Sequence, residues 1–466
     1  MTKCNFIFFF VMICSTTIAK AQHKLDGLWG GKIVSSGLEM DVNFKIEHEA
    51  NRVLLSVPYN KLSDQAGMGL EMKGDSVFFD YSNFNASYRG FYNEEKKIIT
   101  GEWTQQGRST TLDLKRVSEK AEIVRLQEVK PPFPYTYEHV RFHNEEALFD
   151  LAGTITIPEG DGPFPLAILI SGSGPQNRNS EILEHKPFLV IADHLSRNGI
   201  AVLRYDDRGV QHSEGSFSKS TTADFTTDAA AAIKYAHTLE QIDTNRIGLI
   251  GHSEGGMIAP KVAADYKNVD FIVSIAGPAV PITELMTLQN KLVLEKLGMS
   301  EEGQSKLMER LPIIYSIVNQ DKEPKELFDT LIKEVKFMYN SLPEKDQKLL
   351  GPNSAAYYTT LSTTFFTPWF RYFLAYDPGP SWQKIQCPVL ALNGSEDIQV
   401  SAKENLEAIK TNLEIAGNKN HTEIELQGFN HLMQKCEVCS IQEYALIPMT
   451  FDPEALSLIT EFIQRL

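Results

Sequence analysis

The sequence predicts a small all-β domain followed by a doubly wound α/β domain whose sheet is interrupted by inserted helices. Three patterns carry this reading. Apolar and polar residues alternate with period two near the N-terminus, as in half-buried strands. Farther on, short and nearly continuous apolar runs recur between helix-length segments, which suits parallel strands buried on both faces. Between the fourth and fifth of these runs lies a stretch too long for a simple connection, rich in Leu, Glu, Lys and Met. At 466 residues and 42% hydrophobic, the chain is long enough for two domains with a core each.

Residues 1–21 read as an export signal: Lys3 is the basic start, Phe6 to Cys14 the apolar centre, and Ala19-Lys20-Ala21 the small-x-small cleavage pattern. Cleavage after Ala21 places the mature chain outside the cytoplasm, periplasmic or secreted. The apolar run is too short for an anchor, and no later stretch is long and apolar enough to span a bilayer. Without the signal, Cys387, Cys436 and Cys439 remain, so at most one intramolecular disulfide forms. The lone C-x-x-C reads as a local disulfide or two thiols rather than a metal site, which would need more ligands. A net charge of −15 excludes nucleic acid as a main partner, since phosphate binding needs a basic surface.

Residues 22–117 form the β-rich domain. Leu38, Met40, Val42, Phe44 and Ile46 alternate with Glu39, Asp41, Asn43 and Lys45, and further short β-rich runs follow to Leu114. Tyr88, Phe91 and Tyr92 are read as core aromatics rather than a ligand site. The charged, then Pro-rich stretch 118–135 reads as a linker. Residues 136–466 carry the parallel strands 166–170, 201–205, 247–250, 271–275 and 389–392, with a helical insertion at about 281–366 expected to cap the strand ends. An amphipathic helix closes the chain, with Ala455, Leu458, Ile459, Phe462 and Ile463 on one face.

Gly251-His252-Ser253-Glu254-Gly255 matches G-x-S-x-G, between the strand 247–250 and a helix opening at Gly256. That context makes it a nucleophile elbow, in which flanking glycines let the chain turn sharply beneath the serine. A serine hydroxyl attacks only when a base takes its proton. Position selects the base among eleven histidines. In this architecture the order is Ser, acid, His, on loops after late strands. Asn393-Gly394-Ser395-Glu396-Asp397 follows one such strand, which makes Asp397 the orienting acid and Glu396 its near alternative. His431 follows the strand 422–426 and is the base. His421 precedes that strand, at the wrong end of the sheet, and His252 reads as a packed neighbour. Main-chain N–H groups must await the charge that develops on the substrate oxygen. Glu254 supplies one, and the loop Ser171-Gly172-Ser173-Gly174-Pro175 the other, through Ser173 or, failing that, Gly172. A phosphate-cradling loop is the rival reading, but no Gly-Lys-Ser/Thr completes it. Asp206, Asp207 and Arg208 are read as an ion-pair and turn network under the site.

These motifs, with Gln176-Asn177-Arg178, His185-Lys186-Pro187-Phe188, Arg204-Tyr205-Asp206-Asp207-Arg208-Gly209 and Asn430-His431-Leu432, carry a resemblance. Residues from about 136 to the end resemble the bacterial secreted serine carboxylesterases of the α/β-hydrolase superfamily, near the serine-aminopeptidase branch. The β-rich domain resembles that of some members more loosely. The resemblance implies a triad of Ser253, Asp397 and His431, no metal or organic cofactor, and a small-molecule ester as substrate. A short peptide is the alternative substrate, and a non-catalytic binding protein the reading from another class. Gln211 and His212 depart from the usual pattern, where a Gly and a small or basic residue stand.

Overall fold

Period-two alternation turns the first part of the chain into antiparallel sheet. In β2 (Leu38–Glu47), Leu38, Val42, Phe44 and Ile46 are buried while Glu39, Asp41 and Lys45 face solvent. The computed structural model describes residues 23–466 apart from 36, 267, 321 and 351–362, so the expected signal over 1–21 lies outside the described residues. The chain divides into two units, one ending at Ile123 and the other starting at Val124. In the first, β1 (Gly27–Ser35), β2, β3 (Arg52–Val57), β4 (Leu62–Ala66), β5 (Gly69–Lys73), β6 (Ser76–Tyr81), β7 (Ala86–Asn93), β8 (Ile98–Gln105), β9 (Arg108–Thr111) and β10 (Leu114–Arg116) form one sheet. Its order is β4-β3-β2-β1-β10-β8-β7-β6-β5, with β9 beside β8. Phe44 sits at the centre of an aromatic core, its ring 5.2 Å from Phe79, 5.8 Å from Tyr88 and 6.0 Å from Trp103. Tyr88 and Tyr92 are buried there, but Phe91 points outward and is 53% exposed. The strand's own pleat sets it opposite its two neighbours, which corrects the expectation of core packing.

In the second unit the strands are β11 (Tyr135–Asn144), β12 (Phe149–Pro158), β13 (Phe164–Ile170), β14 (Ala201–Tyr205), β15 (Ile242–His252), β16 (Phe271–Ile275), β17 (Val389–Gly394) and β18 (His421–Leu426). They form an eight-stranded sheet in the order β11-β12-β14-β13-β15-β16-β17-β18. The pairs β11–β12 and β12–β14 are antiparallel and the remaining pairs parallel. Helices α1 (Pro187–Arg197), α2 (Thr222–Ala236) and α3 (Glu254–Tyr266) cross between the early strands. The chain next enters α4 (Ile282–Lys296), α5 (Glu301–Val318), α6 (Pro324–Ser341), α7 (Glu344–Leu350) and α8 (Pro368–Ala375), all between β16 and β17, and ends through α9 (Ala402–Ile415) and α10 (Pro453–Gln464). Apolar residues of α2, α3 and α9 pack on one face of the sheet, and those of α1 and α10 on the other. Helices α4 to α8 have a core of their own, which includes Leu311, Ile314, Leu331 and Val335.

The stretch read as a linker divides instead. Lys120 pairs with Asp64 at 2.6 Å, and the Ala121 N–H donates to Asn43 Oδ1 at 3.3 Å, so both belong to the first unit. From Val124 the chain is bound to the second unit. The Arg125 guanidinium donates to the carbonyls of Ala445 (2.9 Å) and Ile447 (3.2 Å), and Gln127 to that of Phe451 (2.6 Å). Polar side chains that composition assigns to solvent are spent here on main-chain acceptors far away in sequence.

Candidate active site

Strand register brings the site together. His252, the last residue of β15, lies level with Ile275, Ile275 with Leu392, and Leu392 with Ile424. The loops after β15, β17 and β18 therefore leave the sheet along one edge. Ser253 is the first residue of its turn, with φ 56° in the left-handed region. That conformation costs a non-glycine residue about 1–3 kcal/mol, and such strain concentrates at functional sites. Glycine is required on both sides. A Cβ on Gly251 would stand 2.0 Å from Gly255 O, and one on Gly255 2.1 Å from Ile170 O. The Ser253 N–H donates to Ile275 O at 2.9 Å, which holds the turn against β16.

The three residues selected from sequence meet. Ser253 Oγ lies 3.0 Å from His431 Nε2, and His431 Nδ1 lies 2.7 Å from Asp397 Oδ2. An ionised carboxylate only accepts, so Nδ1 carries the proton, and Nε2 is left to accept from the serine hydroxyl. Asp397 is buried, and its Oδ1 accepts from the N–H groups of Gln399 (2.8 Å) and Val400 (2.9 Å). That leaves Oδ2 aimed at the imidazole. Glu396 turns away: its carboxylate is 41% exposed and lies 3.7 Å from Lys296 Nζ. His421 sits at the start of β18, bonded to Glu423. His252 does more than pack, since its Nε2 donates to the His431 carbonyl at 2.8 Å. Burial first, and the nearby His431 second, push its pKa down to about 3, so it stays neutral.

The loop 171–176 arches beside the serine. Gly172 is the residue pressed against it: a Cβ there would lie 3.1 Å from Ser253 Cβ and 3.7 Å from Oγ. Ser173 follows, exposed, with its carbonyl accepting from Gln176 Nε2 at 3.4 Å. Asp207 brackets the loop, accepting from Ser171 Oγ (2.6 Å) and the Gln176 N–H (2.9 Å). Burial first, with the nearby Glu254 and Asp228 adding to it, pushes this carboxyl up to about 7 against the pull of those bonds. The neighbouring residues form ion pairs. Arg178 meets Asp206 at 2.5 Å, and Arg208 meets Asp228 at 2.7 Å. Burial alone would raise Asp206, but the side-chain and main-chain bonds of Arg178 outweigh it and hold that carboxyl below its ordinary range.

Beyond His431 the loop is fastened twice. Asn430 Oδ1 accepts from the N–H groups of Leu432 (2.9 Å) and Gln434 (3.1 Å). Cys436 and Cys439 then form a disulfide, and the Glu443 carboxylate accepts from the N–H groups of Glu437 (3.0 Å), Val438 (3.0 Å) and Cys439 (2.5 Å). Ligand atoms of Cys436, Cys439 and Glu443 lie within 4.8 Å of one another, but the sulfurs are bonded to each other and the carboxylate is occupied. No helix among the described residues is long and apolar enough to cross a membrane.

Sequence reasoning gave no place to Thr222 and Trp369, whose side chains both reach the Glu254 carboxyl beneath the elbow. Neither lies in a motif, and they stand 32 and 115 residues from Glu254.

Residues 185–338 match the family model of serine aminopeptidase, S33. Esterase EstD of Thermotoga maritima is 31% identical over 283 residues, covering 61% of this chain and 58% of that protein. The chain thus spans less than two thirds of that relative's length. An uncharacterized 31.7 kDa protein of Escherichia coli is 29% identical over 252 residues, covering 53% of this chain and 77% of its own. Among solved structures, an esterase of Pyrococcus furiosus overlaps 74% of this chain and 97% of its own, at 16% identity and a TM-score of 0.44. The parallel sheet and the elbow at Ser253 thus accompany a similarity to the serine aminopeptidases over residues 185–338, about a third of the chain, and to an esterase over 283 residues.

Proposed function

We propose that the chain hydrolyses carboxylic esters through an acyl-enzyme on Ser253. The observation that carries this reading is the unbroken hydrogen-bond chain from Asp397 through His431 to a serine held at positive φ. Ser253 Oγ bonds to the ester carbonyl carbon as its proton passes to His431 Nε2. The N–H of Glu254 and one from the loop at Gly172–Ser173 hold the resulting oxyanion. The C–O bond to the alcohol then breaks, with the His431 proton leaving on that alcohol. Water repeats the sequence against the acyl-enzyme, releasing the acid and restoring Ser253. Asp397 keeps the imidazole in the productive tautomer throughout. The cycle needs no metal or organic cofactor.

Helices α4 to α8 serve as the cap over the strand ends, and the substrate is a small-molecule ester. The resemblance to an esterase supports the ester over the amide. The second reading, a peptidase for short peptides, draws on the match to the serine aminopeptidase family model. Export through the signal at 1–21 suits a chain whose Cys436 and Cys439 are joined, since disulfides persist in oxidising compartments.

The test is turnover of p-nitrophenyl esters of rising chain length beside aminoacyl anilides, with fluorophosphonate labelling of the serine. Ester turnover should dominate, and Ser253→Ala should lower kcat on the order of 10⁶-fold with an unchanged circular dichroism spectrum. Preferred anilide cleavage would turn the assignment to peptidase. Retained ester turnover in the alanine variant would remove Ser253 as nucleophile.

A further inference from the structure

Glu254 directly follows Ser253, opens α3 and is 2% exposed. Among the described residues no lysine, arginine or histidine forms an ion pair with its carboxyl. It takes instead the Thr222 hydroxyl at 2.6 Å and the Trp369 indole N–H at 2.9 and 3.0 Å to its two oxygens. Burial pushes this carboxyl up to about 7, while the two hydrogen bonds pull the other way. The carboxyl of Asp207 faces it from the loop after β14, so the neighbouring charge is of like sign. A buried carboxyl without an ionic partner costs stability that an apolar side chain of similar size would not. Thermodynamic stability therefore gives no reason for a glutamate here, and its partners suggest another.

Thr222 is the first residue of α2, and Trp369 lies in the first turn of α8, the helix that returns the chain from the insertion to the sheet. Trp369 stacks on Phe373, with ring centroids 5.1 Å apart, against a cluster that joins Met257 of α3 to Ile282 and Leu285 at the root of α4. The carboxyl thus stands where the elbow helix, α2 and the closing helix of the insertion meet. Its own main-chain N–H is one of the two donors assigned to the oxyanion.

We propose that the Glu254 side chain is a positioning residue, fastening α8 of the insertion to the elbow and so holding the Glu254 N–H in line with the oxyanion. The inference rests on the reading of Ser253 as the nucleophile. A glutamate suits the task because its carboxyl offers both oxygens to an indole that can only donate, and still accepts a hydroxyl. What the insertion does on binding an acyl chain then reaches the oxyanion donor through one side chain. Misplacing such a donor by about 1 Å can cost on the order of 10²-fold in rate without weakening substrate binding.

The experiment uses the full chain and p-nitrophenyl butyrate. Labelling of the unmodified protein by a fluorophosphonate, lost in Ser253→Ala, secures the nucleophile first. Trp369→Phe keeps the stacking ring and removes the N–H; it should lower kcat about tenfold with KM within about twofold. Glu254→Ala should lower kcat about a hundredfold, and Glu254→Gln, whose amide oxygen still accepts from the indole, should recover most of that loss. Affinity for a trifluoromethyl ketone, which forms an oxyanion on Ser253, should fall in step with kcat. Unchanged kcat in a folded Trp369→Phe protein, or losses confined to KM, would overturn the proposal alone. Failure of the unmodified protein to label would overturn the nucleophile and this inference with it.

Discussion

Asp397 and Glu396 are neighbours with the same chemistry, and their surroundings separate them. Asp397 is pinned by two main-chain N–H groups and directs its second oxygen at His431, whereas Glu396 reaches outward to Lys296. Asp397→Asn should lower kcat on the order of 10⁴-fold, because an amide permits the wrong imidazole tautomer. Glu396→Gln should change kcat by no more than about threefold, as expected of a screened surface pair. Steady-state kinetics on both variants checks this, and the opposite ranking would exchange their roles. Ser253 and Asp397 are legible in sequence because each follows the buried apolar end of a strand marked by glycine or turn residues, and His431 because it follows the turn after β18, a half-exposed edge strand. The donors to Glu254 and the bond from His252 to the His431 carbonyl are not. They depend on side chains brought together by folding, and no spacing along the chain announces them.

Among the elements, strands that are apolar throughout, or that alternate strictly with polar residues as β2 does, are the readable ones. β14 and β16 are apolar throughout or nearly so, whereas the hairpin β11–β12 went unread. β11 is an edge strand with most side chains exposed, and β12 buries Thr154 and Thr156 by hydrogen bonds instead of apolar contact. The segment after His431 shows a similar economy. Its disulfide closes a loop between residues only three apart, so in the chain-entropy view it contributes about 2 kcal/mol, less than a long-loop bridge. The turn's N–H groups are also held by Glu443, through bonds that do not involve the sulfurs. A Cys436→Ser/Cys439→Ser protein should therefore fold and melt within a few degrees of the parent by calorimetry. A loss of more than about 10 °C would show that the bridge supports more than its own turn.

On the scale of the molecule, each unit has a core of its own, aromatic around Phe44 in the first and layered on both faces of the sheet in the second. Composition reads the passage between them as a linker because it counts charges and prolines. It cannot see that Lys120 and Ala121 are bonded to one unit and Arg125 and Gln127 to the other. The stretch between the two sets of hydrogen-bonded residues shrinks to Glu122, Ile123 and Val124, with Val124 59% exposed. Nicking by a protease should respond to that. An endoprotease specific for glutamate should cut first after Glu122 under native conditions, ahead of Glu119 or Glu128, and mass spectrometry would identify the fragments. Early cutting after Glu128 would show the Arg125 strap to be loose. The border also tells an engineer where to shear the chain. A fragment of the second unit begun near Pro134 forfeits the strap and uncovers the carbonyls of Ala445, Ile447 and Phe451, whereas one begun at Ile123 keeps its seam closed.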